Sequence, residues 1–372
     1  MGEWRGVELS GLTLAEPRPG GLRLRPYREG DVPRAFDSMQ DRSMHEFLPL
    51  PDPYTEADAR QFCLELAPDK AARGHGVELA MVGPDDVMIG GAGLTLPGTR
   101  DTGAEIGYSV RADARGRGHA SRAARLLAAW AFAHGVIRVQ IRAAVGNVAS
   151  QRAALRAGFA FEGVRRHEVL TPGGPVDGAV FSRLPRDSGE PVPSWLPPLV
   201  DVGDDVVLLR PIGPDDHAAV TAELADPTAQ RWLVGPPPRD PDAAGRSRAA
   251  AAGLGWLVGP SALLAVVDRA GGEVAGHLQI RSGPPGVLEL GYGVLPEYRG
   301  RGLTVRALRL FAAWAFGPGG QTRLELGADA ENTASLVVAE RAGFLREGEA
   351  PRRLLCTLDD VEGTEVRFGL TR

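Results

Sequence analysis

The chain has 372 residues, 43% of them hydrophobic and 24% charged, close to the averages of soluble globular proteins. That composition excludes disorder over most of the length, and the length is that of two domains rather than one. A formal net charge of −5 gives no global electrostatic reason to expect nucleic acid or an anionic membrane as partner.

In chain order, a short alternating strand is expected over 22–26, then helices over 31–39 and 56–66 with Asp31 and Thr55 as N-caps. The intervening 44–54, rich in proline, reads as a loop. Strands follow over 78–82, 87–96 and 104–110, separated by turn clusters. A Gly-rich turn leads into a helix whose Leu126, Leu127, Trp130 and Ala131 form one apolar stripe. After it come a strand over 136–143, a short helix over 149–156 and a hairpin region to 181. In the second half, 240–252 reads as an exposed helix and 232–238 as a loop. Strands are expected near 262–268, 273–281, 287–294 and 323–327, with a helix over 306–316. Phe159, Phe344, Trp130 and Trp314 are assigned to the core.

Cys63 and Cys356 lie far apart, which excludes a disulfide framework or a cysteine-ligated zinc site and fits a reducing cytoplasm. No secretory pattern opens the sequence, and no apolar run approaches the roughly 18 to 20 residues that span a bilayer. Nearly all positive charge is arginine, with Lys70 the single lysine. Arginine is therefore informative here only where its position is special.

The sequence contains itself twice. GYSVRADARGRGHASRAARLLAAWAF (107–132) aligns without gaps to GYGVLPEYRGRGLTVRALRLFAAWAF (291–316), with 16 of 26 positions identical. NVASQRAALRAGFAFEG (147–163) matches NTASLVVAERAGFLREG (332–348) at 10 of 17, and LRLRPYREGD (22–31) answers VLLRPIGPDD (207–216). Three blocks in one order at an offset of 184 or 185 residues mean duplication of a whole domain. Two mixed α/β domains are expected, over 1–184 and 206–372, joined by a Pro-rich linker at 185–205 in which Trp195 and Leu196 could dock on a domain surface.

In each copy a strand, an RGRG turn and a long helix form one device. Arg115, Gly116, Arg117 and Gly118, and Arg299, Gly300, Arg301 and Gly302, precede the helix N-termini. Glycines let main-chain amides approach a ligand, the helix end adds partial positive charge, and arginines donate to phosphate oxygens. This is a cradle for a pyrophosphate. It is neither a P-loop, since no GK[ST] follows, nor a GxGxxG dinucleotide site.

The succession E-x-G-Y-x-V, RGRG, AAWAF, N-x-A-S and AGFxxEG resembles the GNAT superfamily, in particular its ribosomal-protein N-terminal acetyltransferase (RimJ/RimL-type) branch, over nearly the whole chain as two tandem copies. The resemblance implies an α+β mixed-sheet GNAT fold and acyl transfer from acetyl-CoA, or another acyl-CoA, to an amine by direct attack, without a metal. It places the coenzyme on Val110, Arg115, Gly116, Arg117, Gly118, His119, Ala120 and Asn147. In the second copy the corresponding residues are Val294, Arg299, Gly300, Arg301, Gly302, Leu303, Thr304 and Asn332. Thr304 stands where the family has Gly or Ala, and Leu303 replaces His119.

Direct attack by an amine needs a proton acceptor, a donor for the thioester oxygen and a proton for the leaving thiolate. Glu105 and Glu289 are the candidate bases, or else solvated strand-end glutamates; the oxyanion donor is expected among the amides of 108–110 and 292–294. Many family members carry an acid tyrosine four residues before the AGF glycine; Ala154 and Ala339 stand there instead. Ser150 and Ser335 are the substitute acids, or else they and the asparagines cap the following helix. The seven histidines (45, 75, 119, 134, 167, 217 and 277) are scattered and read as structural. Both halves are expected to bind the coenzyme, and the first, with Ala120, to be the catalytic one. A coenzyme-binding module without catalysis is the competing reading. The acceptor can be a small-molecule amine or a peptide or protein N-terminus; neither its identity nor the oligomeric state is legible.

Overall fold

The computed structural model describes residues 10–18, 20–96, 103–200, 202–232, 236–351 and 363–372. They form two compact units, Met1–Pro193 and Ser194–Arg372. In the first, β1 (Leu14–Ala15) and β2 (Arg23–Arg25) precede α1 (Val32–Met39), α2 (Arg42–Phe47), α3 (Glu56–Gln61), a π-helical turn at Phe62–Leu66 and α4 (Ala67–Ala72). Strands β3 (Gly76–Val82), β4 (Met88–Thr95) and β5 (Ala104–Val110) lead to α5 (His119–Ala133). After β6 (Val139–Ala144) come α6 (Val148–Arg156), β7 (Ala160–Thr171) and β8 (Gly174–Arg183). The eight strands form one sheet in the order β1-β2-β3-β4-β5-β6-β8-β7.

The second unit repeats the plan. Its β9 (Val207–Pro211), α7 (His217–Ala225), α8 (Pro227–Trp232) and α9 (Pro241–Val258) precede β10 (Ser261–Asp268), β11 (Glu273–Ser282) and β12 (Val287–Val294). Then follow α10 (Leu303–Phe316), β13 (Arg323–Asp329), α11 (Thr333–Ala342), β14 (Leu345–Pro351) and β15 (Thr364–Thr371), in a seven-stranded sheet of order β14-β15-β13-β12-β11-β10-β9.

One parallel contact in each sheet positions the site. β5 pairs with β6 at only two positions, Ala104 with Val139 and Glu105 with Gln140. β12 pairs with β13 at four, ending at Leu290 with Leu326. Beyond those points the strands diverge, and the outer edges of Ile106–Val110 and Gly291–Val294 are left without a ladder partner on that side. The helices after the cradles pack below. Leu303, Ala307, Leu308, Phe311 and Ala315 of α10 are buried against Leu278, Leu288 and Leu326, where burial of each large apolar side chain contributes about 1.5–3 kcal/mol.

Several expectations are corrected by packing. The buried stripe of α5 is Ala123, Ala124, Leu127, Ala128 and Ala131, so Leu126 and Trp130 are only half-buried, and Trp130 stacks on His134 at 4.3 Å. Phe159, Phe344 and Trp314 are buried. Asp31 does not cap α1 with its side chain. It forms a buried two-pronged pair with Arg25 (2.7 and 3.1 Å) and accepts the Arg28 N–H, and Arg210 and Asp216 repeat the pair. Thr55 does cap its helix: it accepts from the Asp58 N–H while the Asp58 carboxylate accepts the Thr55 N–H at 2.8 Å.

Within 44–54 the chain is not all loop, because α2 reaches Phe47, capped by Asp41. The expected exposed helix at 240–252 is the start of α9, which Asp240 caps and which buries Gly245, Ala249, Ala252 and Trp256. Of 232–238, residues 233–235 lie outside the described residues, as does Cys356. Cys63 is buried, and burial raises its thiol pKa to about 12.

The Pro-rich stretch between the copies is packed. Val192 N–H donates to Leu155 of the first unit. Leu196 is 1% exposed in the second unit's core, the Trp195 N–H donates to Leu257 at 2.7 Å, and the Trp256 indole donates to Pro197.

Candidate active site

Each cradle is built by its glycines. Gly116, Gly118, Gly300 and Gly302 have φ between 73° and 78°, where an L side chain is strained. A Cβ added at Gly116, Gly300 or Gly302 would meet no atom within 4 Å, so the space over the turn is open. Gly118 and Gly302 are the N-caps of α5 and α10, and the first-turn amides of both helices point into that space. The residues present thus fit a pyrophosphate. Of the arginines, Arg115 donates to the Val110 carbonyl at 3.1 Å and pairs with Asp41 at 3.2 Å. Arg299 pairs with Asp226, and Arg301 pairs with Asp268 at 2.7 Å over the Tyr298 ring. Arg117 has no ion pair among the described residues. Burial, then Arg122 and Arg117, lower the His119 pKa, so its imidazole is neutral at pH 7.

The asparagines and serines divide their work. Asn147 Oδ1 accepts the Ser150 N–H at 3.0 Å and Asn332 Oδ1 that of Ser335 at 3.2 Å, so each asparagine caps its helix and keeps its NH₂ as a donor. The serine hydroxyls instead meet a tyrosine across the gap between the diverging strands. Tyr108 donates to the Ser150 carbonyl at 2.8 Å and receives the Ser150 hydroxyl at 3.2 Å. In the second copy Tyr292 donates to the Ser335 carbonyl at 2.9 Å, with its oxygen 2.7 Å from Ser335 Oγ. Burial, opposed by the serine hydrogen bond, pushes both phenols up to about 12, so they are protonated donors at neutral pH. These tyrosines belong to the E-x-G-Y motif quoted above, but nothing in the motif shows where the hydroxyl goes.

Glu105 is ion-paired with Arg142 and Glu289 with Arg281, both at 2.6 Å. Each carboxylate is thus engaged at the point where the strands part. In the second unit a cavity of about 830 Å³ runs from the cradle (Arg299, Gly300, Gly302, Leu303, Thr304) past Tyr292, Val294, Asn332 and Ser335 to Arg281, His277 and Glu223. Glu289 is not among the described residues lining it; its partner Arg281 is. His277 and Glu223, which sequence reasoning did not single out as a site, hydrogen-bond at 2.6 Å between Nδ1 and Oε2. Among the described residues no group of His, Cys, Asp or Glu could hold a metal ion, and no helix is long and apolar enough to cross a membrane.

The family model described as Acetyltransferase (GNAT) domain matches twice, at residues 21–160 and 207–345, which is more than half of the chain. The chain belongs to the GNAT acetyltransferase family and carries two GNAT domains in tandem. No curated protein matches it. Among solved structures it is similar to a GCN5-related N-acetyltransferase from Brucella melitensis, 25% identical with a TM-score of 0.41, covering 48% of this chain and 81% of that one. It is similar too to the RimL ribosomal L7/L12 alpha-N-protein acetyltransferase in complex with coenzyme A, at 21% identity and TM-score 0.42, covering 46% and 97%. A third is the ribosomal-protein-S5-alanine acetyltransferase from Vibrio fischeri, at 18% and 0.41, covering 45% and 94%.

Proposed function

We propose that the protein is an N-acyltransferase that moves an acetyl or other acyl group from acyl-CoA to an amine by direct attack, with the acceptor a small-molecule amine or a peptide or protein N-terminus. The observation that carries this reading is the same arrangement found twice: an open turn of left-handed glycines on a helix N-terminus, beside a gap between parallel strands that a Tyr–Ser pair spans.

The pyrophosphate would rest on the main chain of Arg115, Gly116, Arg117, Gly118, His119 and Ala120, and in the second copy of Arg299, Gly300, Arg301, Gly302, Leu303 and Thr304. The asparagine NH₂ groups of Asn147 and Asn332 would donate to the amides of the pantetheine arm. Acyl-CoA, when bound, supplies the activated thioester. The strand edges at Val110 and Val294 present main-chain donors to the oxygen on which negative charge develops. Tyr108 with Ser150, and Tyr292 with Ser335, hold a hydroxyl proton for the departing sulfur, which as a thiolate is a modest base. Glu105 and Glu289 serve the acceptor side, each holding an arginine at the point where the strands separate.

The reading is tested by titrating the full chain with coenzyme A and acetyl-CoA in a calorimeter and following thiol release with a panel of amines. Binding with amine-dependent thiol release is the expected result. Absence of binding refutes it.

A further inference from the structure

Cross-strand register fixes which side chains meet the cavity from which side. His277 pairs with Gly293 and shares its face, whereas Leu278 pairs with Tyr292 on the opposite face. The cavity in the second unit touches both: Tyr292 and Ser335 on the α10–α11 side, His277 and Glu223 on the α7–α9 side. Nδ1 of His277 is committed to Glu223, and Nε2 has no protein partner among the described residues.

This pair is specific to one copy and is built from three interdependent positions. A Cβ at Gly293 would overlap the Glu223 carboxylate and come within 2.9 Å of His277 Cε1, so the pair requires glycine there. The corresponding residues of the first copy are Ser38, Gly91 and Ser109. A Cβ at Gly91 would overlap the Tyr27 hydroxyl, and Ser38 Oγ is buried without a partner. Ile212, in Tyr27's place, frees that volume in the second copy. An imidazole therefore has no room in the first domain and is accommodated on every side in the second.

We propose, resting on the acyl-transfer reading above, that the second domain is the half in which the acceptor is deprotonated, with His277 as proton acceptor and Glu223 as its positioning residue. The acceptor ammonium gives one proton to His277 Nε2. Its freed lone pair forms the bond to the thioester carbonyl carbon, and the attacking nitrogen gives its second proton to solvent. The carbon–sulfur bond breaks, and the sulfur leaves with its electron pair and takes up the Tyr292 hydroxyl proton, which turns away from the Ser335 carbonyl. Tyr292 recovers a proton from solvent and His277 returns its own, so the balance is one amide, one thiol and one released proton.

The groups facing His277 set its titration. Burial lowers its pKa, but the Glu223 carboxylate, by charge and hydrogen bond, outweighs burial and raises it; Arg248 of α9 opposes protonation. Arg281, on the same face of β11, is held by Glu289. Turnover should thus rise with pH as His277 loses its proton.

The test uses the full chain, acetyl-CoA, and three amines protonated at pH 7 (glycinamide, hexylamine and a hexapeptide with a free α-amine), beside hydroxylamine, which is already neutral there. For His277→Gln and His277→Asn, amine-dependent thiol release should fall on the order of 100-fold. Hydroxylamine-dependent release and acetyl-CoA affinity should each change less than about tenfold, and histidine-resolved NMR should show an otherwise native spectrum. Glu223→Gln should move the acidic limb of the rate profile to lower pH. Equal loss with hydroxylamine and with the amines, or unchanged rates in both His277 variants, overturns the proposal. Binding of acetyl-CoA without thiol release from any probe also overturns it, whereas absence of acetyl-CoA binding overturns the underlying acyl-transfer reading.

Discussion

The hydroxyl of Tyr292 lies 2.7 Å from Ser335 Oγ and donates to that serine's carbonyl, joining the strand that leaves the sheet's parallel seam to the helix opposite. Removing the phenol oxygen removes the proton donor without disturbing the cradle. Tyr292→Phe is expected to lower the rate of thiol release on the order of 100-fold while leaving the dissociation constant for acetyl-CoA nearly unchanged, as read by stopped-flow and calorimetry.

Glu289 and His277 face the same side of the sheet, but Glu289 is occupied by Arg281. Glu289→Gln should therefore slow turnover much less than His277→Gln, by about tenfold or less. Parallel rate measurements on the two variants check the order, and a larger effect at Glu289 would return the base role to that carboxylate.

Gly302 holds φ 74° at the N-cap of α10 in open space, so substitution is limited by backbone strain and not by contact. Gly302→Ala is expected to cost about 1–2 kcal/mol in stability and to weaken coenzyme binding by turning the first-turn amides away from the pyrophosphate. Chemical denaturation and calorimetry read the two effects separately.

Arg25 and Asp31 are both almost wholly buried, while in the repeated pair Arg210 is 40% exposed. Asp31→Asn should destabilise the first domain by about 2 kcal/mol, because it removes the two-pronged carboxylate from a buried guanidinium that keeps only its pair with the partly exposed Asp86. Asp216→Asn should cost about 1 kcal/mol, since water reaches Arg210. Urea denaturation of the two variants tests the ratio.

Glu16 accepts from Arg122, with Nε at 2.7 Å, and this bond, against the opposing effect of burial and aided by the Leu22 N–H, lowers its carboxyl pKa to about 2. A carboxylate depressed by folding stabilises fully above its unfolded pKa and loses that contribution as pH falls through the folded value. The difference in stability between the native chain and Glu16→Gln should be about 2 kcal/mol at pH 7 and should close between pH 4.5 and about pH 2. Denaturation curves at stepped pH measure it.

The duplication, the cradle glycines and most strands were legible in the sequence because each rests on local pattern: a repeat, a left-handed turn, an alternation of period two. What escaped depends on pairs distant along the chain. Tyr108 meets Ser150 and Glu223 meets His277 only once the sheet is assembled, and no spacing rule joins residues 42 or 54 positions apart. Asp31 reads as a cap because Asp commonly caps, yet the buried Arg25 at the end of β2, six residues earlier, claims both of its oxygens. Of the stripe expected on α5, Leu127 and Ala131 are buried and Leu126 and Trp130 are not, because alanine, small and weakly hydrophobic, does not announce that Ala123, Ala124 and Ala128 take the inward positions.

The docking of Trp195 and Leu196 has a practical corollary for anyone dissecting the two halves. A C-terminal fragment cut just before β9 would leave an oily trough beside Trp256 and Gly259 with nothing to fill it, inviting self-association through that trough. Beginning the fragment at Ser194 keeps that plug in place.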